Sequence, residues 1–345
     1  MKEIQYKKFS LAAHSNNLER GRPSYCQMEL TYACGLRCPY CYAGGYNCSA
    51  RIAQEMNTVE LKKIIDELKS LGVLWVCFTG GDPLMRKDFY ELYTYARRQG
   101  FLIIVFTSGY SLTKKHLDLF RRQPPFNIEI TLNAVEEKLY EKISGVRGSF
   151  GRVMAAIEAL RRNKLPLKIK TMVTTLNLHH LAEIKKYLRG IGLKFYPDYF
   201  LNSGFDNDRR PLAFQIPREA VPGRINPKEN ICARVSPKGK TRPSPFFTCI
   251  VAAGDGFQLD PYGNISLCFS IRNPKINILE TGINLRLKNL VKYFAGLDFK
   301  TDSKCKSCAK RDKCGWCPGK AFVETGSLEK PVDYCCKLVG VYGNQ

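Results

Sequence analysis

This chain is short of histidine, of tryptophan and of negative charge. It has 4 His, 2 Trp, and 31 Asp plus Glu against 54 Lys plus Arg in 345 residues. The four histidines, His14, His116, His179 and His180, are scattered in helical or terminal stretches and read as surface residues. No run approaches the ~20 apolar residues of a membrane span. Met1 to Arg22 is polar and basic without the apolar segment of a signal peptide, so the expected location is the cytoplasm. Internal repeats and low-complexity tracts are also missing. The acidic deficit leaves a net charge of +23, which favours an acidic partner: nucleic acid, an anionic surface or an acidic peptide. A solvated basic surface that only maintains solubility would show the same balance.

Cysteine, by contrast, is plentiful. Fifteen residues, an odd number in tight groups, suit metal ligation in a reducing compartment better than disulfide bridges. The first group lies in Thr31-Tyr-Ala-Cys-Gly-Leu-Arg-Cys-Pro-Tyr-Cys-Tyr42, with Cys34, Cys38 and Cys41 spaced C-x3-C-x2-C. Three thiolates on one loop can hold three corners of a [4Fe–4S] cube and leave the fourth iron open to a substrate or cofactor. A structural zinc would need a fourth ligand. The nearest spare cysteines are Cys26 and Cys48, and no His is close.

From about residue 24 to 200, short β-branched or aromatic runs alternate with amphipathic stretches. Strands are expected at 26–30, 74–78, 101–107, 126–132, 167–174 and 194–199. Helices are expected at 57–71, 86–99, 113–121, 149–164 and 178–190. Six strands alternating with helices imply parallel β/α units, in a partial barrel or a doubly wound open sheet. Either architecture gathers ligands beyond the C-terminal strand ends. Thr79-Gly-Gly-Asp-Pro83 stands at one such end, where glycines allow close backbone approach. Between 205 and 245, Pro211, Pro217, Pro222, Pro227, Pro237, Pro243 and Pro245 mark a basic linker. Cys77 lies inside an apolar run and reads as core.

The cysteine triplet with its strand-like lead-in, the Tyr before its last Cys and Gly-Gly soon after resembles the radical S-adenosylmethionine (SAM) enzymes. That resemblance implies a partial (β/α)6 TIM-like barrel over 24–204, after an N-terminal extension (1–23). It implies a [4Fe–4S] cluster on Cys34, Cys38 and Cys41, with SAM chelating the open iron. The family's Gly-Gly-Glu-Pro motif holds the SAM amino group, so Gly80, Gly81 and Asp82, here Asp for Glu, are expected at that site. By the same likeness Ser108, Asn133, Arg147 and Tyr40 are expected around SAM. One electron would cleave SAM to a 5′-deoxyadenosyl radical that abstracts a substrate hydrogen.

A second constellation follows the linker. Cys249-x13-Gly263-x4-Cys268, Cys305-x2-Cys308-x5-Cys314-x2-Cys317 and Cys335-Cys336 resemble the SPASM extension of peptide-modifying radical SAM enzymes. Taken alone, the C-x2-C-x5-C-x2-C part also fits a zinc ribbon. The likeness implies a small cysteine-rich iron–sulfur domain over 246–345 carrying two auxiliary [4Fe–4S] clusters. Cys305, Cys308, Cys314 and Cys335 would hold the outer cluster, with Cys336 as a substitute for Cys335. Cys249, Cys268 and Cys317 would hold the inner one, completed by Cys232 or left open. The family spacing before the last grouped Cys is usually x3, and here it is x2. Sulfatase-maturing relatives place an Asp directly after the Cys of the Gly-x4-Cys element, where this chain has Phe269.

The expected activity is hydrogen abstraction from a ribosomally made peptide or protein, giving a crosslink, excision, epimerisation or oxidation. The partners implied are an acidic peptide, a separate leader-binding protein and a reductant such as flavodoxin or ferredoxin. Two alternatives stand beside it: radical chemistry on a cofactor precursor or haem, and a non-catalytic iron–sulfur or zinc protein that binds nucleic acid. The basic 205–245 stretch shows no aromatic interleaving of the kind that stacks RNA bases.

Overall fold

A computed structural model describes residues 5–222, 246–247, 254–311 and 314–342. Six parallel strands stand side by side in chain order: β1 (Tyr25–Thr31), β2 (Trp75–Gly80), β3 (Leu102–Thr107), β4 (Asn127–Thr131), β5 (Leu167–Met172) and β6 (Phe195–Asp198). Parallel neighbours require crossovers. These contain α2 (Ser49–Ile52) and α3 (Thr58–Leu71), then α4 (Phe89–Arg98), α5 (Lys114–Arg122), α6 (Glu137–Ser144) with α7 (Ser149–Arg162), and α8 (Leu181–Gly190). A doubly wound sheet reverses strand order at a switch point. Here β1 to β6 run without reversal, so the partial-barrel alternative is the one adopted.

Local chemistry explains where the elements begin and end. Asn57 accepts from the N–H groups of Val59 and Glu60, and Glu60 reaches back to the Asn57 N–H, closing a capping box on α3. Gly72 ends that helix with φ +83°, a conformation in which a Cβ would be strained. Leu61, Ile64, Ile65 and Leu68 then share one buried face of α3, each contributing about 1.5–3 kcal/mol by leaving water. Along β4 and β5, Ile128, Ile130 and Ile169 are fully buried toward the helices, while Glu129, Lys168 and Lys170 take the opposite face.

Within the expected N-terminal extension, residues 6–19 form a helix. In α1 (Tyr6–Glu19), Tyr6 packs against Phe126, and His14 stacks 4.7 Å from Trp75 while hydrogen-bonding Asp255 at 2.7 Å. Phe126, Trp75 and Asp255 lie at the N-terminal ends of strands, so α1 covers that end of the sheet. His14 is therefore structural, not a solvated surface residue. His180, only 13% exposed, accepts from the Val135 N–H at 3.2 Å and departs from the surface expectation in the same way.

Beyond the 205–222 segment, β7 (Gly256–Leu259) adds to β1 in parallel, and β8 (Asn264–Ser266) and β9 (Ile276–Asn277) continue the sheet antiparallel. The expected turn between β7 and β8 is present. Asp260 accepts from the Tyr262 and Asn264 N–H groups, each at 2.9 Å, and Gly263 takes φ +84°. The helices α9 (Ile283–Ala295), α10 (Pro318–Thr325) and α11 (Asp333–Tyr342) follow. Residues 223–245 of the expected 205–245 linker, with Cys232 and Cys249, lie outside the described residues.

Candidate active site

The loop after β1 carries Cys34, Cys38 and Cys41, and all three line one cavity of about 820 Å³ at the C-terminal strand ends. Backbone and side-chain hydrogen bonds hold this loop from several sides. Asn47 accepts from the Cys34 N–H at 3.2 Å and donates to the Cys34 carbonyl at 2.9 Å. Glu55 accepts from the Tyr32 N–H at 2.6 Å, and Arg37 donates its N–H to the Ser144 carbonyl at 2.7 Å. Gly81 and Asp82 donate theirs to Thr31 and Ala33 at 2.7 and 2.8 Å.

That last contact explains the glycine pair. A Cβ on Gly80 or Gly81 would run into the carbonyls of Thr31, Tyr32 and Ala33. The close approach is thus to the cysteine loop itself, while both glycines also line the cavity.

Asp82 differs from the expectation. Its side chain is fully buried behind the cavity wall. It accepts from Thr107 Oγ1 at 2.8 Å, Ser108 Oγ at 2.5 Å, the Ser108 N–H at 3.2 Å and the Leu84 N–H at 3.1 Å. The shorter Asp arm is spent inside the protein, fixing the β2 and β3 ends, and does not line the cavity. Burial pushes its carboxyl up, against the lowering effect of those hydrogen bonds. Ser108 lines the cavity. Asn133 and Tyr40 line it too and bind each other, Asn133 Nδ2 donating to the Tyr40 hydroxyl at 2.6 Å. Arg147 is exposed and stands away from the cavity, because the turn around Gly145 and Gly148 (both at positive φ) carries it outward.

Sequence reasoning passed over Asn47, Asn177, Glu129 and Lys170. Asn177 donates to the Asn133 carbonyl at 2.9 Å and is fully buried. For Glu129 and Lys170 a signal existed: Asn127-Ile-Glu-Ile-Thr131 and Lys168-Ile-Lys170 alternate charge with apolar residues, the pattern of a strand whose inner face is polar.

The C-terminal cysteines form two groups around Cys314. Cys305 lies within electrostatic reach of Cys336, Cys314 and Cys308. Cys335 lies within reach of Lys320, Cys314 and Cys317. Successive helical residues point about 100° apart, so α11 turns Cys335 inward, buried, and Cys336 outward toward Cys308. Cys336 thus stands nearer Cys308, and Cys335 nearer Cys317. Cys317 caps α10, its sulfur accepting from the Lys320 N–H at 3.3 Å. Cys26 and Cys77 are buried in β1 and β2.

Donor chemistry and space fit an iron–sulfur cluster with SAM at the first group. Three thiols open on one side of a cavity large enough for a cofactor, with Tyr40, Ser108 and Asn133 around it. Burial pushes the Cys34 thiol up to about 12, so in the metal-free protein it is protonated, and ligation would release its proton. Among the described residues, no three His, Cys, Asp or Glu side chains are grouped to hold a single metal ion. Among the described residues, too, no helix is long and apolar enough to cross a membrane.

Three cysteines on the loop after the first strand of a parallel partial barrel can together hold three irons of a cluster. Residues 28–188 match the Radical SAM superfamily, and the chain carries a radical SAM domain. It is 30% identical to an AdoMet-dependent heme synthase of Methanosarcina barkeri, over 52% of this chain and 51% of that protein. It is 33% identical to a PqqA peptide cyclase of Bradyrhizobium diazoefficiens, over 48% of this chain and 43% of that protein. The match thus spans about half the length of these two relatives. Among solved structures, Streptococcus suis SuiB bound to S-adenosylmethionine shares the fold, with a TM-score of 0.66 at 17% identity, covering 97% of this chain and 84% of that one.

Proposed function

We propose that this protein is a radical SAM enzyme that modifies a ribosomally made peptide or protein. The observation that carries the reading is the convergence of Cys34, Cys38 and Cys41 on one cavity with Ser108, Asn133 and Tyr40. These thiols would hold three irons of a [4Fe–4S] cluster, and SAM would occupy the fourth. When bound, the two supply a 5′-deoxyadenosyl radical that takes a hydrogen atom from the substrate. The protein's part is to hold the thiols on a fixed loop, to keep water from the reacting atoms and to present the substrate.

The resemblance to the PqqA peptide cyclase supports a peptide substrate, and SuiB, which has the same fold, has a structure bound to precursor peptide SuiA. The net charge of +23 suits an acidic peptide. In this reading Cys305, Cys308, Cys314 and Cys336 serve one auxiliary cluster, and Cys335, Cys317 and Cys268 serve a second, with Cys249 in reserve. A flavodoxin or ferredoxin would supply electrons, and a separate protein would bind any leader segment. Likeness to a heme synthase keeps a second reading, radical chemistry on a haem precursor.

The test is anaerobic reconstitution followed by SAM and a chemical reductant, with 5′-deoxyadenosine as the readout. Wild type should form it, and replacing Cys34, Cys38 and Cys41 together by Ala should abolish it. Product from the triple variant would overturn the assignment. Co-expression with small open reading frames adjacent to the gene, followed by mass spectrometry, distinguishes a peptide loss of two hydrogens or of a larger fragment from no modification. Heavy-water exchange would reveal epimerisation.

A further inference from the structure

The cavity contains a group of charges that neither the thiols nor the SAM-side residues employ. Glu129 on β4 is 11% exposed and lies 3.3 Å from the Lys168 ammonium and 2.5 Å from that of Lys170, both on β5. Each ammonium also faces an aromatic ring: Lys170 is 4.6 Å from the centre of Phe106 on β3, and Lys168 is 4.6 Å from that of Tyr196 on β6. Two cations therefore share one carboxylate on a partly enclosed surface. Asp198, the next acid on β6, accepts from the Phe200 N–H at 3.1 Å, and burial pushes its carboxyl toward the neutral form.

Lys170 and Glu129 line the same cavity as Cys34, Cys38, Cys41 and Ser108. The Lys170 side chain is 42% exposed, against 11% for Glu129. An ammonium has three N–H donors, and the contact of Lys170 with Glu129 Oε2 is an ion pair without hydrogen-bond geometry. Lys168 occupies the other side of the same carboxylate, which limits how far Glu129 can neutralise Lys170. In a partly desolvated cavity, the hydrogen bonds an ammonium makes to an anion are stronger than neutral ones.

We infer that Lys170, braced by Glu129 and Lys168, is a carboxylate-binding subsite that receives an acidic group of the substrate. This inference rests on the peptide-modifying reading for its substrate, an acidic side chain or a chain-terminal carboxylate. SAM carries a carboxylate of the same chemistry, so the test must separate the two sources.

The probes are N-acetyl-L-glutamic acid α-amide and its neutral isostere, N-acetyl-L-glutamine amide. Each is titrated into anaerobically reconstituted, SAM-loaded protein and followed by ligand-observed NMR. Wild type should bind the acid about tenfold tighter than the amide, the scale of one charge-assisted hydrogen bond. Lys170→Met should abolish that preference, and Lys170→Arg should retain it. Equal binding of both probes to wild type, or a preference that survives Lys170→Met, would overturn the subsite. Weakened SAM affinity in Lys170→Met, restored in Lys170→Arg, would assign the ammonium to SAM instead and equally overturn the inference. Formation of 5′-deoxyadenosine by wild type, read in parallel, tests the radical reading separately, because the probe preference does not depend on SAM cleavage.

Discussion

Arg272 and Glu29, 243 residues apart in sequence, form a bidentate ion pair. The guanidinium Nη2 donates to both Glu29 oxygens at 3.0 and 2.9 Å, while Nη1 donates to the Tyr32 hydroxyl at 2.8 Å. Tyr32 in turn donates to Glu29 at 2.7 Å, and Phe205 lies against the guanidinium, 3.8 Å from ring centre to cation. Glu29 sits on β1 just before the cysteine loop, and Arg272 sits just past β8. The pair thus ties the loop bearing the first three cysteines to the segment that follows Cys268.

Breaking one side of this pair leaves a charge stranded in the interior. Arg272→Met should cost about 3–5 kcal/mol, because the fully buried Glu29 loses its partner. The double variant Glu29→Gln with Arg272→Met should recover much of that loss, since neither charge remains. Thermal melting of the anaerobically purified single and double variants decides it. Additive losses would show that the two residues act independently.

Asp82 should behave as a positioning residue. Asp82→Asn keeps the shape but replaces one acceptor oxygen with a donor, directed at hydroxyl and N–H groups from Thr107, Ser108 and Leu84. Disrupting such buried bonds costs about 1–3 kcal/mol. The expected outcome is a lower melting midpoint together with weaker SAM binding. A Ser108→Ala change added to Asp82→Asn should therefore weaken SAM binding less than the sum of the two single effects. A full additive loss in equilibrium binding would indicate that Asp82 touches SAM directly.

Asn47 should govern how firmly the first cysteine loop is held. Its side chain bonds both the N–H and the carbonyl of Cys34, a contact of two short-range hydrogen bonds worth about 1 kcal/mol each. Asn47→Ala should leave iron uptake in place but speed its loss to a chelator several-fold, seen as faster bleaching of the visible absorbance. An unchanged rate would mean that the Glu55 and Arg37 contacts, not Asn47, set the loop's rigidity.

The barrel was legible because its signals are local. Short β-branched and aromatic runs located all six strands within a few residues, and the helix expected over 57–71 is α3. The cysteine triplet was legible for the same reason, since three cysteines fall within eight residues. What sequence could not supply was direction. Asp82 was expected to face SAM, but Thr107 and Ser108 from the next strand claim its oxygens. Arg147 was expected at the cavity, but two glycine turns carry it outward. Likewise α1 has no clear apolar face of its own, and its role depends on Trp75, Phe126 and Asp255, which are distant in the chain.

The adjacent pair Cys335 and Cys336 poses the same question of direction, and α11 answers it by geometry. Cys335 is buried near Lys320, Cys314 and Cys317, while Cys336 is exposed near Cys305 and Cys308. If both auxiliary clusters form, Cys336→Ala should strip a ligand from the group containing Cys305 and Cys308, and Cys335→Ala from the group containing Cys317. Each single variant should lose up to about four irons per chain, the content of one cluster. The double variant Cys336→Ala with Cys308→Ala should lose no more iron than the worse of its two single variants, because both strike one cluster. Cys335→Ala with Cys308→Ala should instead lose about twice as much. Iron analysis with electron paramagnetic resonance on dithionite-reduced samples separates the two pairings. If Cys335 proved to couple with Cys308, α11 would present its cysteines in the opposite sense, and the outer ligand would be Cys335.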